Sequence, residues 1–334
     1  GAFFLGGTYT YEKSFWVPEA WETKDILVEF EGVYPGAEVF INDQPAGGCM
    51  YGYNLFRVPL AALNYNAYNM LRVEVDNSAQ PNSRWYSGAG IYRPVWLWLG
   101  PKTHIEPDGV RVTTLSCDPA QIRVSTAVAM ALENKMSDAF TGDLEIFTEI
   151  YFKGKKVAEA IGSDVILNIP DARLWDDEAP NLYQCVVTLK ENGQDLDSQC
   201  ENFGIRKIEY SPEGLKVNGK NVLLRGGCIH HDNGILGARS FDVSEWRRIK
   251  RLKAWGFNAI RSAHNPAGRA VLEACDALGV YVMDETWDMW NVSKHPHDYG
   301  QRFMDNYETE IASIVAKDYN HPSVIMYSIG NEVT

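Results

Sequence analysis

The stretch FNAIRSAHNPAGRAVLEACDALGVYVMDET, residues 257–286, reads as strand, helix and strand. A first apolar run breaks off into Arg261 and His264. Leu272, Ala274 and Ala277 then recur at helical spacing, and Gly279 stands where a left-handed C-cap belongs. A second apolar run ends in Asp284 and Glu285. The same grammar continues outward. Upstream lie NVLLRGG (221–227), a strand, and SFDVSEWRRIKRLKAWG (240–256), a helix with a stripe of Trp246, Ile249 and Leu252, a cap from Asp242 or Ser244 and a stop at Gly256. Downstream lie NYETEIASIVAKDYN (306–320), a helix, and SVIMYSIGNE (323–332), a strand. Continuous apolar strands alternating with one-sided helices predict a parallel sheet covered by helices, either a barrel or a doubly wound sheet.

Earlier in the chain the pattern is all-β. From Tyr9 to about Leu99, short alternating runs (ILVEF, AEVFIN, MLRVEV, VWLWL) are separated by Pro, Gly, Asn and Asp, which predicts an antiparallel β-sandwich. From about Ile105 to Ile208 come IRVSTAVAMAL (122–132), LEIFTEIYF (144–152) and YQCVVTL (183–189), with Gly193 in a hairpin-like KENGQD turn. That length suits one immunoglobulin-like sandwich. The expected domains are therefore residues 1–104, 105–208 and 209–334.

Composition narrows the class. A 334-residue chain with 45% apolar and 22% charged residues can bury the cores of two or three domains, and no window approaches the roughly 20 apolar residues of a membrane span. The formal charge of −13, without a Lys/Arg run, argues against nucleic acid and for a neutral partner. Six cysteines lie far apart without metal spacing, so reduced, mostly buried thiols are expected. GAFFLGG at the N-terminus lacks the positive region of a signal peptide. A cytoplasmic protein is expected, with periplasm or secretion left open.

Polar residues fall at one end of every predicted barrel strand. Strand one leads to Arg225, His230, His231 and Asp232; strand two to Arg261, His264 and Asn265; strand three to Asp284 and Glu285; strand four to Asn331 and Glu332. One histidine at such a place is more often structural than functional, but recurrence over four strands points to a site where βα loops converge. No glycine-rich phosphate turn, G-x-S-x-G elbow or H-E-x-x-H helix is present. Carboxylate, amide, imidazole and guanidinium groups remain, a set suited to hydroxyl-rich substrates.

NGKNVLLRGGCIHHDNG, LKAWGFNAIRSAHNP, LGVYVMDETWDMW and HPSVIMYSIGNE, in that order, resemble successive signatures of glycoside hydrolase family 2. SRWYSGAGIYRPVWL resembles the end of that family's sugar-binding jelly-roll domain, and RLWDDEAPNLY its immunoglobulin-like domain. The resemblance covers nearly the whole chain. It implies a jelly-roll sandwich, an immunoglobulin-like sandwich and the first half of a TIM (β/α)8 barrel. By residue, it implies that Glu332 is the general acid/base, that Asn331 binds the sugar 2-hydroxyl, that His230 and His264 line the sugar pocket, and that Arg261 sits beneath the carboxylates. Asp232 and Trp287 are candidates for the pocket wall, Trp287 equally a plug of the barrel mouth. A proton donor in this role must keep its proton near neutral pH, which calls for partial burial or a negative neighbour.

Departures from the family matter too. The Glu-x-His magnesium motif of large β-galactosidases is absent from DETWDMWNVSKHPHD. Asp288 with His295, His297 and Asp298 could hold a cation but is spaced as loosely as an ordinary polar loop, so no cofactor is expected, with magnesium or sodium left open and supported by no motif. Arg84 stands near where some relatives place a pocket-facing Asp, which leaves it either a substrate contact or a structural residue. About 125 residues follow Tyr210, half of what eight βα units need. The expectation is a fragment of a longer retaining enzyme, inactive alone because the nucleophile lies outside it. It would associate as a homo-oligomer or with a complementary fragment. The wording IHHDNGILGA and DETWDMW is most like bacterial β-galactosidases, which implies a β-linked galactoside or oligosaccharide as substrate. β-Glucuronidase, β-mannosidase and a non-catalytic carbohydrate-binding fragment are the alternatives.

Overall fold

The computed structural model describes residues 6–130 and 144–333. Residues 131 and 132 of the strand expected over 122–132, and the first five residues of the chain, lie outside them.

The first unit faces two antiparallel sheets. One orders Thr8–Val17, Ala67–Asp76, Ala37–Ile41 and Gln44–Cys49; the other orders Phe56–Pro59, Lys24–Phe30 and Val95–Pro101. Alternation does the sorting. Ala37, Val39 and Ile41 point into a core with Val28, Phe30, Val58 and Val73, while Glu38 faces water. Val95–Pro101 behaves differently: it is an edge strand, and every residue from Val95 to Leu99 is exposed.

The second unit is again two antiparallel sheets, of three and four strands, around Ile122, Ile150, Leu189 and Ile205. Its last hairpin joins Tyr183–Glu191 to Gln194–Phe203 through Asn192 and Gly193, both at positive φ, a two-residue loop whose twist matches the strands.

The third unit alternates strand and helix: β1 (Gly226–Ile229), α1 (Asp242–Ala254), β2 (Ala259–Ser262), α2 (Arg269–Leu278), β3 (Tyr281–Glu285), α3 (Phe303–Asp318) and β4 (Val324–Ser328). Its sheet runs β1, β2, β3, β4 with every pair parallel, a sequential order without the reversal of a doubly wound sheet. Gly256 and Gly279 end α1 and α2 at positive φ, as expected.

Several expectations shift. NVLLRGG is not one strand: Lys220–Asn221 closes a small antiparallel sheet, and β1 begins at Gly226. Arg225 therefore precedes β1, at the opposite end of the sheet from the predicted site, where its backbone N–H donates to Asn258 Oδ1 at 2.7 Å. In α1, Phe241 occupies the N-cap; Asp242 is the first helical residue and Ser244 Oγ accepts from the Phe241 N–H. Trp246 is exposed, and the buried stripe is Glu245 and Ile249, because Glu245 finds Asn233 and Ser240 as partners. Of the six free cysteines only Cys185 and Cys275 are buried; Cys200 and Cys228 are exposed on strands without cover.

Polar side chains hold the units together. Glu29 and Arg57 of the first unit, Asp108 of the second and Arg269 of the third form one ion cluster, with contacts of 2.6–3.4 Å. Arg93, buried, donates to the carbonyls of Tyr53 and Pro266 at 2.9 and 2.8 Å, tying the first sandwich to the loop after β2. Trp175 of the second unit donates its indole N–H to the Asp276 carbonyl on α2.

Candidate active site

The C-terminal ends of β2, β3 and β4 bring their polar residues together. Glu285, the last residue of β3, is fully buried. Its Oε2 accepts from Arg261 Nε at 2.9 Å and Nη2 at 2.5 Å, and its Oε1 lies 2.6 Å from His264 Nδ1. Arg261 also donates to Asn331 Oδ1 at 3.0 Å. Asn331 in turn gives its amide N–H to Asp288 Oδ1 at 2.8 Å and its backbone N–H to the Trp287 carbonyl. A chain of charge-assisted bonds thus runs from β2 through β3 to the end of β4, and it fixes the side chain just before Glu332.

The first sandwich enters here. Arg84 reaches Asp288 at 2.6 Å with Nη2 and Glu332 Oε2 at 3.1 Å with Nη1. Lys294 adds contacts to Asp288 Oδ1 at 3.1 Å and to the Asn331 carbonyl at 2.6 Å. Burial opposes the charge of Asp288, but the bonds from Arg84, Asn331 and Lys294 outweigh it and hold its carboxyl below the usual range. Trp85, next in sequence, lies 5.0 Å from the His230 ring and 5.3 Å from His264; the two imidazoles meet edge to face at 5.3 Å. Burial and the His264 ring push the His230 imidazole below its ordinary value.

Glu332 is where the geometry departs from expectation. Its backbone sits at φ 48°, in the left-handed region that a residue with a Cβ occupies at a cost of about 1 kcal/mol. Its side chain is 71% exposed, and the charged contact it makes is with the cationic Arg84. Neither the burial nor the negative neighbour expected of a proton donor is formed among the described residues. The physical reason is placement: β4 delivers Glu332 to an open rim, and the groups that meet it are Arg84 and solvent.

The other predicted residues divide. Arg261, His230, His264, Asn331 and Glu332 lie together or one contact apart. Trp287 does not offer a face: it is buried, packs edge to face on Phe303 at 5.1 Å and donates to Glu310 Oε2 at 2.8 Å, both on α3. Asp232 is exposed, and it is held through its backbone carbonyl, which accepts from Arg248. His231 is structural: Arg93 donates to its Nδ1 at 3.2 Å, which leaves Nε2–H to donate to the Asn265 carbonyl, and burial beside Arg93 keeps the ring neutral. No three His, Cys, Asp or Glu side chains converge as metal ligands among the described residues. The oxygens of Asp288 and Asp298 are already engaged, by Arg84, Lys294 and Asn331 and by backbone N–H groups of Lys294, His295 and Gly300.

Trp85 and Lys294 carry no sequence signal as site residues. Lys294 sits in an ordinary polar loop, and the aromatic next to Arg84 reads as a sandwich residue until the domains are assembled.

Residues 208–334 match the pattern described as glycosyl hydrolases family 2, TIM barrel domain, and residues 103–206 match glycosyl hydrolases family 2. Over its whole length the chain is 38% identical to the beta-galactosidase BoGH2A of Bacteroides ovatus, and it is 27% identical over 98% of its length to a beta-glucuronidase of Bacteroides fragilis. It spans 40% of the first and 50% of the second. A crystal structure of a glycosyl hydrolase family 2 member from Bacteroides cellulosilyticus superimposes with a TM-score of 0.92 at 38% identity, covering 98% of this chain and 44% of that one. A βα row with acid, amide and imidazole groups at its strand ends, preceded by two β-sandwiches, agrees with these matches in order and extent. The chain belongs to glycosyl hydrolase family 2.

Proposed function

We propose that this chain supplies the acid/base half of a retaining β-galactosidase. Glu332 protonates the glycosidic oxygen of the leaving group, Asn331 binds the sugar 2-hydroxyl, and a second carboxylate about 5 Å away attacks the anomeric carbon. The observation that carries this reading is the Arg261–Asn331–Asp288 bonding, which presents Glu332 at the end of β4 on a fixed neighbour. Glu285 does not serve as the nucleophile, because Arg261 and His264 occupy both its oxygens. The attacking carboxylate belongs to the longer protein, and the chain alone is inactive. Closure over Glu332 in that protein supplies the environment a proton donor needs. The sugar assignment rests on the likeness to BoGH2A. The same open rim and the bare Val95–Pro101 edge favour association, with a second copy or a complementary fragment.

The test is turnover by the full-length protein of nitrophenyl β-galactoside, β-glucuronide and β-mannoside. Hydrolysis of the galactoside is expected; turnover of the glucuronide alone overturns the substrate reading. In that protein Glu332→Gln lowers kcat on a substrate with a poor leaving group by about 100- to 10,000-fold. Unchanged activity would remove Glu332 from the mechanism.

A further inference from the structure

Asp284 stands next to Glu285 on β3 but takes no part in the rim. Successive side chains of a strand point to opposite faces, so Glu285 meets Arg261 and His264 while Asp284 turns toward the helices. There it is fully buried beside Asp318, the last residue of α3, which is buried as well.

One cation serves both carboxyls. Lys317 Nζ binds Asp318 Oδ1 and stands 3.8 Å from Asp284 Oδ2. Asp284 Oδ1 accepts the Ala267 N–H at 2.9 Å, from the loop that carries His264 and Asn265. Neither Oδ2 receives an N–H, yet the two carboxyls hydrogen-bond each other, and a bond between carboxyl oxygens requires a proton on one of them. Two carboxylates and one ammonium would leave a net negative charge in a buried place; one shared proton brings the sum to zero. That proton belongs to the pair rather than to either residue.

The groups that face the pair from other elements do not replace the proton. The Tyr327 hydroxyl on β4 bonds Asp318, and Cys275 on α2 is kept a thiol by burial and by the acids around it, Asp276, Asp284 and Glu245. His321 is matched by Asp276. Arg206, which acts on Tyr327, spends its N–H groups on the carbonyls of Pro322 and Val324. Burial, then the charge of Asp318, push the Asp284 carboxyl up to about 8 against the pull of Lys317.

From this arrangement we propose that Asp284 is a positioning residue: with Asp318 it forms a proton-sharing latch that ties the loop after β2 and the end of β3 to α3, and so holds His264 against Glu285. That His264 and Glu285 belong to an active site rests on the reading above; the latch does not, and its test requires no turnover. The latch's contribution to stability is complete below the ordinary aspartate value of 3.8, declines as pH rises, and is gone above about 8.

The experiment takes infrared difference spectra of the 334-residue chain, in which a neutral carboxyl is read by its C=O band. Wild type shows that band at neutral pH and loses it in alkali; Asp284→Asn and Asp318→Asn lack it. Asn at 284 keeps the acceptor for Ala267, donates to Asp318 and has no proton to lose. Wild type therefore melts progressively lower relative to Asp284→Asn as pH rises from mild acid to alkali. Positioning is read from the imidazole N–H resonance of His264, moved downfield by its bond to Glu285 and assigned by its loss in His264→Gln. Asp284→Asn keeps this signal and Asp284→Ala loses it. Should Asp284→Ala not fold, alkali opens the latch without a mutation, and the signal weakens in wild type while persisting in Asp284→Asn. The proposal is overturned if no neutral carboxyl band is present at neutral pH, or if the melting curves of wild type and Asp284→Asn run parallel with pH. It is equally overturned if the His264 signal survives in folded Asp284→Ala, or responds to alkali alike in wild type and Asp284→Asn.

Discussion

Asp288 is the residue on which the candidate site turns. It was quoted in the sequence as a loose cation candidate, yet its oxygens are taken by Arg84, Lys294 and Asn331. Asp288→Asn keeps the shape and removes the charge that both cations face, so it is expected to destabilise the chain by about 1.5–3 kcal/mol. The sign with pH follows from its lowered titration: the stabilisation is present above the ordinary aspartate value of 3.8 and is lost as pH falls through the lower folded value. Thermal melts should therefore separate Asp288→Asn from wild type at neutral pH and bring the two together in acid. Asn331 and Glu332 were legible from their place after an apolar strand. The left-handed backbone of Glu332 and its guanidinium neighbour were not, because φ and a partner 248 residues away depend on the assembled fold.

Among the elements, α2 was the best-written: Leu272 and Ala274 of its apolar spacing are buried and its terminal glycine is in place, while Ala277 is half-buried and the helix begins only at Arg269. Gly279 has two constraints, since it stands at φ +71° and an added Cβ would lie 2.5 Å from the Asp177 carbonyl oxygen, whereas Gly256 at φ +88° has nothing within 4 Å. Denaturant titration should show Gly256→Ala costing about 1 kcal/mol and Gly279→Ala clearly more. The approach to β4 is pinned to α2 by His321, whose Nδ1 lies 2.5 Å from Asp276 Oδ2. Burial disfavours the imidazolium, but the Asp276 carboxylate outweighs it and raises the His321 value above 6.5. The pair thus contributes fully below about pH 6.5 and its contribution disappears as pH rises through the higher folded value. His321→Gln should lower the melting temperature in mild acid and have little effect at alkaline pH; the opposite trend would mean that the ring is neutral in the fold. By contrast β1 and the stripe of α1 were misread, since glycines in NVLLRGG hid the strand start and Glu245 is a buried polar residue whose partners come from a loop.

At the scale of the molecule, the three units meet through polar contacts and shared apolar clusters, and the Glu29–Arg57–Asp108–Arg269 cluster draws on all three. Arg269→Met removes the barrel's share and leaves Arg57 to compensate two carboxylates, a loss of about 2–3 kcal/mol. Calorimetry should resolve a separate transition for the βα unit in the variant; a single, unshifted transition would show that the cluster does not couple the domains. What the sequence by itself determined is the order of two β-sandwiches and a βα row, with the strand-end positions of Arg261, His264, Asn331 and Glu332, because periodicity and strand polarity are local properties of the chain. Tertiary structure alone decided that Arg84 and Trp85 of the first sandwich complete the rim and that Trp287 is turned inward. Those outcomes depend on how separate units pack, and side chains distant in sequence find or fail to find hydrogen-bond partners only once the packing is made.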